Sequence, residues 1–185
     1  KFISKKEKIN VIDATFGGGG YSRALLHDYN INELIAIDRD PVTEIFAQDL
    51  IKNFKNFRLV NGCFSKIDEL ISLDNKTSYN HFDLIIFDLG LSSNQLENPK
   101  RGFSFTKNGP LDMNMGGSRI LASDVVNNFS EKKLADILFE LGEERFAKKI
   151  ARNIVKNRKF GSITSTKILA ELISQSIPKA RAKIM

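Results

Sequence analysis

The chain holds one cysteine and two histidines in 185 residues. A single thiol cannot build an internal disulfide framework, and two histidines without a CxxC pair do not make a typical zinc site, so no metal is expected and a reducing, cytoplasmic setting is. No uninterrupted apolar run reaches membrane-spanning length, and no signal-type n-region followed by an h-region opens the chain, so neither insertion nor export is expected. Repeats and low-complexity linkers are missing too. What is present is a 42% apolar composition, enough for the core of one α/β domain or of a smaller one with an insertion. A formal charge of +6 favours a polyanionic partner. The chain opens on a basic lead-in, Lys1 to Lys8, and stops at Met185 without a terminating device, the pattern expected of a fragment.

The most informative stretch runs from Val11 to Ser22. A short apolar segment enters four glycines, Gly17 to Gly20, and leaves into helical spacing. Glycine lets backbone N–H groups approach a ligand closely, so the order strand, loop, helix makes a cradle for a nucleotide-like cofactor. Beyond it, the apolar run Leu34 to Ile37 ends on Asp38, where a nucleotide fold places the acid that binds a ribose diol. Ser22 breaks the G-x-G-x-x-G dinucleotide fingerprint and disfavours a nicotinamide dehydrogenase, whereas Asp13, four residues before the first glycine, fits an S-adenosylmethionine site.

The first half alternates. Strands are expected at Ile9–Ala14, Leu34–Ile37, Phe57–Val60 and His81–Asp88, the last buried on both faces because it is nearly all apolar. Helices are expected from Tyr21 to Tyr29, with Leu25 and Leu26 inward, from Val42 to about Lys52 after Pro41, and around Ile67, Leu70 and Ile71. In open parallel sheets ligands bind at the carboxyl ends of the strands, where Gly17 to Gly20, Asp38, Cys63, Phe64 and Asp88 all fall. Phe64 reads equally as an adenine-facing ring and as a core phenylalanine. Cys63 reads as a buried, inert thiol.

From Asp88 to Met115 the rhythm stops. The stretch is polar and glycine-punctuated, with Phe103, Phe105, Leu111, Met113 and Met115 at intervals, and reads as an active-site wall. Helical spacing returns from Ser123. Ser130 caps a helix that ends at Gly142, a second helix is expected from about Glu143 to Asn157, and Thr164 or Ser165 caps a third with Ile168, Leu169, Leu172, Ile173 and Ile177 as its stripe. The second helix is basic on its other face, through Arg145, Lys148, Lys149, Arg152 and Lys156, followed by Arg158 and Lys159, with no acid between, and phosphate contact is favoured over simple solvation.

With these residues in hand the chain resembles the ribosomal RNA small-subunit methyltransferase H family. The resemblance lies in Asp13 to Gly17, Gly19-Gly20, Ile37 to Pro41, Phe64-Ser65, Asp88 to Ser93, Gln95-Leu96, the run Arg101-Gly102-Phe103-Ser104-Phe105, the run Gly109-Pro110-Leu111-Asp112-Met113, and Gly142 to Lys148. It spans nearly the whole chain, and the RGFSF and GPLDM runs are its most specific parts. It implies an α/β fold of the class I methyltransferase, Rossmann-like type. Residues 1–120 would form the S-adenosylmethionine-binding core, and residues 121–185 a helical insertion for RNA recognition. Because the family's chain continues further, the sheet is expected to be incomplete with an exposed edge, and weak cofactor binding and poor turnover are expected of this chain.

The implied reaction is transfer of a methyl group from S-adenosylmethionine to N4 of a cytidine in small-subunit ribosomal RNA, free or in the assembling subunit. By resemblance Gly19, Gly20 and Tyr21 line the methionine end, Asp38 meets the ribose, Phe64 and Asp88 lie on the adenine side or the neighbouring wall, and Gln95 lies at the cofactor edge. Tyr21, Gly18, Asn94 and Asn114 depart from the family's usual histidine, arginine, proline and arginine. The exocyclic amine of cytosine needs acceptors for its hydrogens, a role open to Asp88 or Asp112 with carbonyls of Leu89 to Leu91, although Asp112 reads equally as a loop brace. Phe103 or Phe105 could stack on the unstacked base. The competing reading is a noncatalytic RNA-binding module with a residual cofactor pocket.

Overall fold

The computed structural model describes residues 7–73, 81–116 and 119–178. Residues 1–6 of the basic lead-in and the terminal stretch from Lys179 lie outside them. The described residues form two compact units, one reaching from the start to Asn94 and including Met115 and Gly116, the other comprising Gln95–Asn114 and the residues from Arg119 onward.

The first unit is a parallel α/β sheet. Strands β1 (Ile9–Asp13), β2 (Ile31–Asp38), β3 (Phe57–Asn61) and β4 (Leu84–Ile86) lie in the order β3-β2-β1-β4. Helices α1 (Gly20–Asp28), α2 (Thr43–Asn53) and α3 (Ile67–Leu73) alternate with them, giving the Rossmann-like architecture that the alternation predicts. Alternate residues explain the layers. Ile9 and Val11 of β1 and Leu34 and Ala36 of β2 share one core with Leu25 and Leu26 of α1 and Ala47 and Leu50 of α2. Ile12, Ala14, Ile35 and Ile37 point the other way and receive Ile67, Leu70 and Ile71 of α3.

β2 is longer at its start than the Leu34–Ile37 segment, because Ile31 pairs with Ile9 and Asn32 Nδ2 donates to Asn10 Oδ1 at 2.8 Å. β4 corrects a larger expectation. It covers three residues rather than His81–Asp88 and is not buried on both faces: Ile85, the register partner of Ile12, is 46% exposed. The cause is position, since β4 is the edge strand of the sheet and pairs only with β1 among the described residues. Apolar composition cannot distinguish a central strand from an uncovered edge.

The second unit is helical and includes the motif loop. A short helix, α4 (Ser93–Glu97), begins before its boundary. Helices α5 (Ala122–Asn128), α6 (Glu131–Glu140), α7 (Ala147–Asn157) and α8 (Thr166–Ser176) bury Val126, Leu134, Ile150, Ile154 and Leu172 in one cluster, to which Leu111 of the motif loop also belongs. Ser130 caps α6 by accepting the Lys133 N–H at 3.2 Å, and Ser165 caps α8 by accepting that of Ile168 at 3.3 Å. Helix α7 starts at Ala147, not at Glu143. Glu143 takes a left-handed φ of 50°, and the Glu144 carboxylate accepts the Phe146 N–H at 2.7 Å, so the chain turns before the helix begins. Ile168 is exposed, which removes it from the expected stripe.

Candidate functional site

The glycine loop is built by hydrogen bonds that begin at a buried acid. Asp13, fully buried at the end of β1, accepts Ser22 Oγ at 2.7 Å and the Thr15 N–H at 3.3 Å. Burial pushes its carboxyl above the ordinary range; the Ser22 and Thr15 hydrogen bonds oppose that shift and the charge of Asp38 adds to it. Ser22, the residue that breaks the dinucleotide pattern, thus fastens the first turn of α1 to β1. Between them Gly17 and Gly19 take φ of 54° and 78°. A Cβ on Gly19 would stand 2.7 Å from the buried Phe16 ring, so this position requires glycine twice over, by backbone angle and by space. Nothing lies within 4 Å of a Cβ placed on Gly20, where α1 begins.

Asp38 closes the loop from β2. Its Oδ2 accepts the Gly17 N–H at 2.7 Å and its Oδ1 accepts the Asp40 N–H at 2.9 Å. A carboxylate has about four lone-pair sites, so two amides leave room for two hydroxyls. On the other side, the Asp88 N–H donates to Thr15 Oγ1 at 2.7 Å, which ties the segment after β4 to the same loop. Thus Gly19, Gly20, Asp38 and Asp88 are joined through one hydrogen-bonded framework at the carboxyl ends of β1, β2 and β4. Tyr21 and Asp88 are exposed.

Phe64, in the 3-10 turn Phe64–Lys66 after β3, is 37% exposed and meets Phe87 edge to face at 5.6 Å between ring centroids. It is therefore not a core phenylalanine. Phe87 is itself 50% exposed and directly follows β4, the opposite edge strand, so the two rings bring together segments whose strands are separated by β1 and β2. Cys63 departs from its expectation. It is partly exposed and its thiol is lowered in pKa, chiefly because Ser65 Oγ donates to its Sγ at 3.2 Å. Sequence reasoning missed Thr15 and Phe87 as parts of this framework. The hydroxyl two residues after Asp13 and the aromatic beside Asp88 were visible, but their partners were not.

Gln95 and Asp112 belong to the second unit. Gln95 is buried in α4. Asp112 is half-buried, and its Oδ1 accepts the Asn114 N–H at 2.8 Å. The two specific motifs hold each other: the Met113 N–H donates to the Arg101 carbonyl at 3.0 Å, and Arg101 Nη2 donates to the Asn114 carbonyl at 2.6 Å. GPLDM also docks on the start of α8, where Thr166 N–H and Oγ1 bond Gly109 O and Lys107 O at 2.9 and 3.1 Å. Phe103 lies near the Arg101 guanidinium, and Phe105 is 64% exposed. Among the described residues no group of acidic, histidine and cysteine side chains could hold a metal, and no helix is long and apolar enough to cross a membrane.

A family model for the MraW methylase family matches residues 1–184. The chain belongs to the MraW methylase family. Its similar relatives include proteins named ribosomal RNA small subunit methyltransferase H. That of Caldicellulosiruptor saccharolyticus is 44% identical over 181 residues, covering 97% of this chain and 58% of the relative. That of Methylorubrum extorquens is 44% identical over 164 residues, covering 88% and 46%, and that of Rickettsia bellii 39% over 189 residues, covering 100% and 58%. This MraW-family chain therefore spans about half the length of the relatives it matches.

Proposed function

We propose that this chain supplies the cofactor-binding and RNA-recognition parts of an S-adenosylmethionine-dependent methyltransferase acting on N4 of a cytidine in small-subunit ribosomal RNA, in the cytoplasm. The observation that supports it most is the bond from the Gly17 N–H to Asp38, which holds a glycine cradle and a ribose-type acid together at the carboxyl end of a parallel sheet. The residues present fit the cofactor. Gly20 and Tyr21 at the start of α1 offer backbone N–H groups to the carboxylate of its methionine end, and Gly19, whose own N–H donates to the Phe16 carbonyl at 2.7 Å, is assigned to line that end without a side chain. The Asp38 oxygens have acceptor capacity for ribose hydroxyls, and the half-exposed Phe64 and Phe87 offer apolar ring surface to an adenine. Gln95 is assigned to the cofactor edge by the family resemblance alone. Bound S-adenosylmethionine supplies an electrophilic methyl group on a sulfonium.

The chain's own task is then to make a poor nucleophile usable. Asp88, exposed and with its backbone fixed by Thr15, is assigned as acceptor of a hydrogen from the cytosine amine, which localises the nitrogen lone pair. Asp112 is assigned the same role. Asp112→Asn tests it, because the amide oxygen can still accept the Asn114 N–H while the charge is lost: catalysis by Asp112 requires a collapse of methyl transfer, and retained transfer makes it a brace. Phe105 is assigned to stack on the target base. By function we divide the chain into a methyl-transfer core over residues 1–120 and an RNA-recognition segment over residues 121–185, although by packing Gln95–Asn114 group with the helices.

Titration calorimetry with S-adenosylmethionine, on this chain and on Asp38→Ala, tests the cofactor reading. Binding that Asp38→Ala abolishes is expected. RNA binding without any cofactor binding, found also in a chain extended to the length of the relatives, would favour the noncatalytic module. Asp88→Ala is expected to abolish methyl transfer, assayed with labelled methyl donor and small-subunit RNA; unaltered transfer would remove Asp88 from the mechanism.

A further inference from the structure

The second unit leaves several large apolar side chains in water, and their charge surroundings differ. Phe139 is 64% exposed beside Glu140, with Asp136 one turn back and Glu143 following, a setting that repels a polyanion. Phe160 is 86% exposed, directly after Arg158 and Lys159, within a stretch from Arg145 to Ala170 that contains no Asp or Glu. The turn that presents it is fixed on both sides. The Phe160 N–H donates to the Asn157 carbonyl at 3.0 Å, and Asn157 Nδ2 donates to the Asn153 carbonyl and Oδ1 at 2.8 Å each. Arg158 Nη1 donates to the Val126 carbonyl at 2.8 Å, and the buried Ile163 donates its N–H to Asn127 Oδ1 at 2.9 Å. The ring is thus held out by a rigid turn.

The turn continues a basic stripe. At 3.6 residues per turn, Lys148, Lys149, Arg152 and Lys156 fall within an arc of about 100°, opposite the buried Ala147, Ile150, Ala151 and Ile154. Arg152 is partly engaged by Glu131 at 3.5 Å. A row of cations leading to a protruding aromatic is the arrangement that holds a single strand: cations track its phosphates, and the ring receives an unstacked base.

We propose that Phe160 is a stacking platform for an unpaired base of a single-stranded RNA segment whose phosphates run along the α7 stripe. This rests on the RNA-binding part of the reading above and assigns a contact apart from the methylated base. The test uses this chain and a fluorescent single-stranded oligoribonucleotide of about ten nucleotides, with a duplex of equal length as control. Phe160→Ala should weaken single-strand binding roughly 5- to 100-fold with no change in salt slope, because it removes the stacking of one base and leaves every cation on its phosphate. Phe160→Tyr should retain binding, and neither variant should alter duplex binding. Because the ring is exposed, both variants should melt with the parent. Unchanged single-strand affinity in Phe160→Ala, alongside a reduced salt slope in Lys148→Glu/Lys149→Glu, would overturn this proposal and leave the RNA reading intact. Equal weakening on single strand and duplex would also overturn it. Partition to anionic lipid vesicles that depends on Phe160 without any effect on RNA would reassign the ring to a membrane surface. No RNA binding by the parent chain would overturn both readings.

Discussion

Asp13 and Gly19 hold the loop by different means, and each gives a test confined to one side chain. Burial raises the Asp13 carboxyl above its ordinary 3.8, so the folded chain binds this proton more tightly than the unfolded chain does. The contribution of Asp13 to stability is therefore fully present below 3.8 and declines as pH rises from there through the raised folded value. Asp13→Asn, which never ionises, should gain on the parent across that interval in urea unfolding measured from acid to neutral pH; a constant difference would mean that Asp13 is not protonated preferentially in the fold. Gly19→Ala should cost about 1–2 kcal/mol for its left-handed backbone, and more if the Phe16 ring cannot give. Gly20→Ala meets nothing and should leave the melting temperature unchanged while lowering cofactor affinity. Equal melting losses at the two positions would show that strain at Gly19 does not matter. Cys63 should alkylate with a pH midpoint below the usual thiol value of 9.0, and Ser65→Ala should raise it.

At the scale of elements, the basic face of α7 was legible from spacing alone, since exposed lysines and buried alanines and isoleucines separate cleanly at helical period. Its start was not. The run from Glu143 looks helical in composition, and only the left-handed Glu143 and the bond from the Phe146 N–H to Glu144 move the first turn to Ala147. Lys148→Glu/Lys149→Glu should weaken RNA binding and lower the salt slope by roughly 0.7 for each single-strand phosphate that the variant no longer neutralises. Arg152, paired with Glu131, should contribute less than either lysine. An unchanged slope in the double variant would make this face ordinary solvated surface.

At the scale of the molecule, the side of β4 that pairs with no strand among the described residues stands out. Ile85 and Phe87 are exposed on or beside an edge strand, and Leu89 and Leu91 follow in the same state. An apolar edge that the described residues leave uncovered invites pairing with another copy, so this chain should self-associate with rising concentration, and Ile85→Lys should suppress that in light scattering. Association unaffected by Ile85→Lys would place the contact elsewhere. The sequence by itself determined the alternation of strands and helices in the first unit, though not the short helix α4 within the motif loop, together with the glycine loop with its acids at Asp13 and Asp38 and the family, because these reside in local spacing and in motifs only a few residues long. Tertiary structure alone decided that Ser22 holds Asp13, that Thr15 holds the backbone of Asp88, that Phe64 meets Phe87, and that, among the described residues, β4 stands at an edge of the sheet with Ile85 exposed. Each of those depends on residues distant in the chain meeting in space, or on what covers a surface, and neither leaves a periodic trace in the sequence.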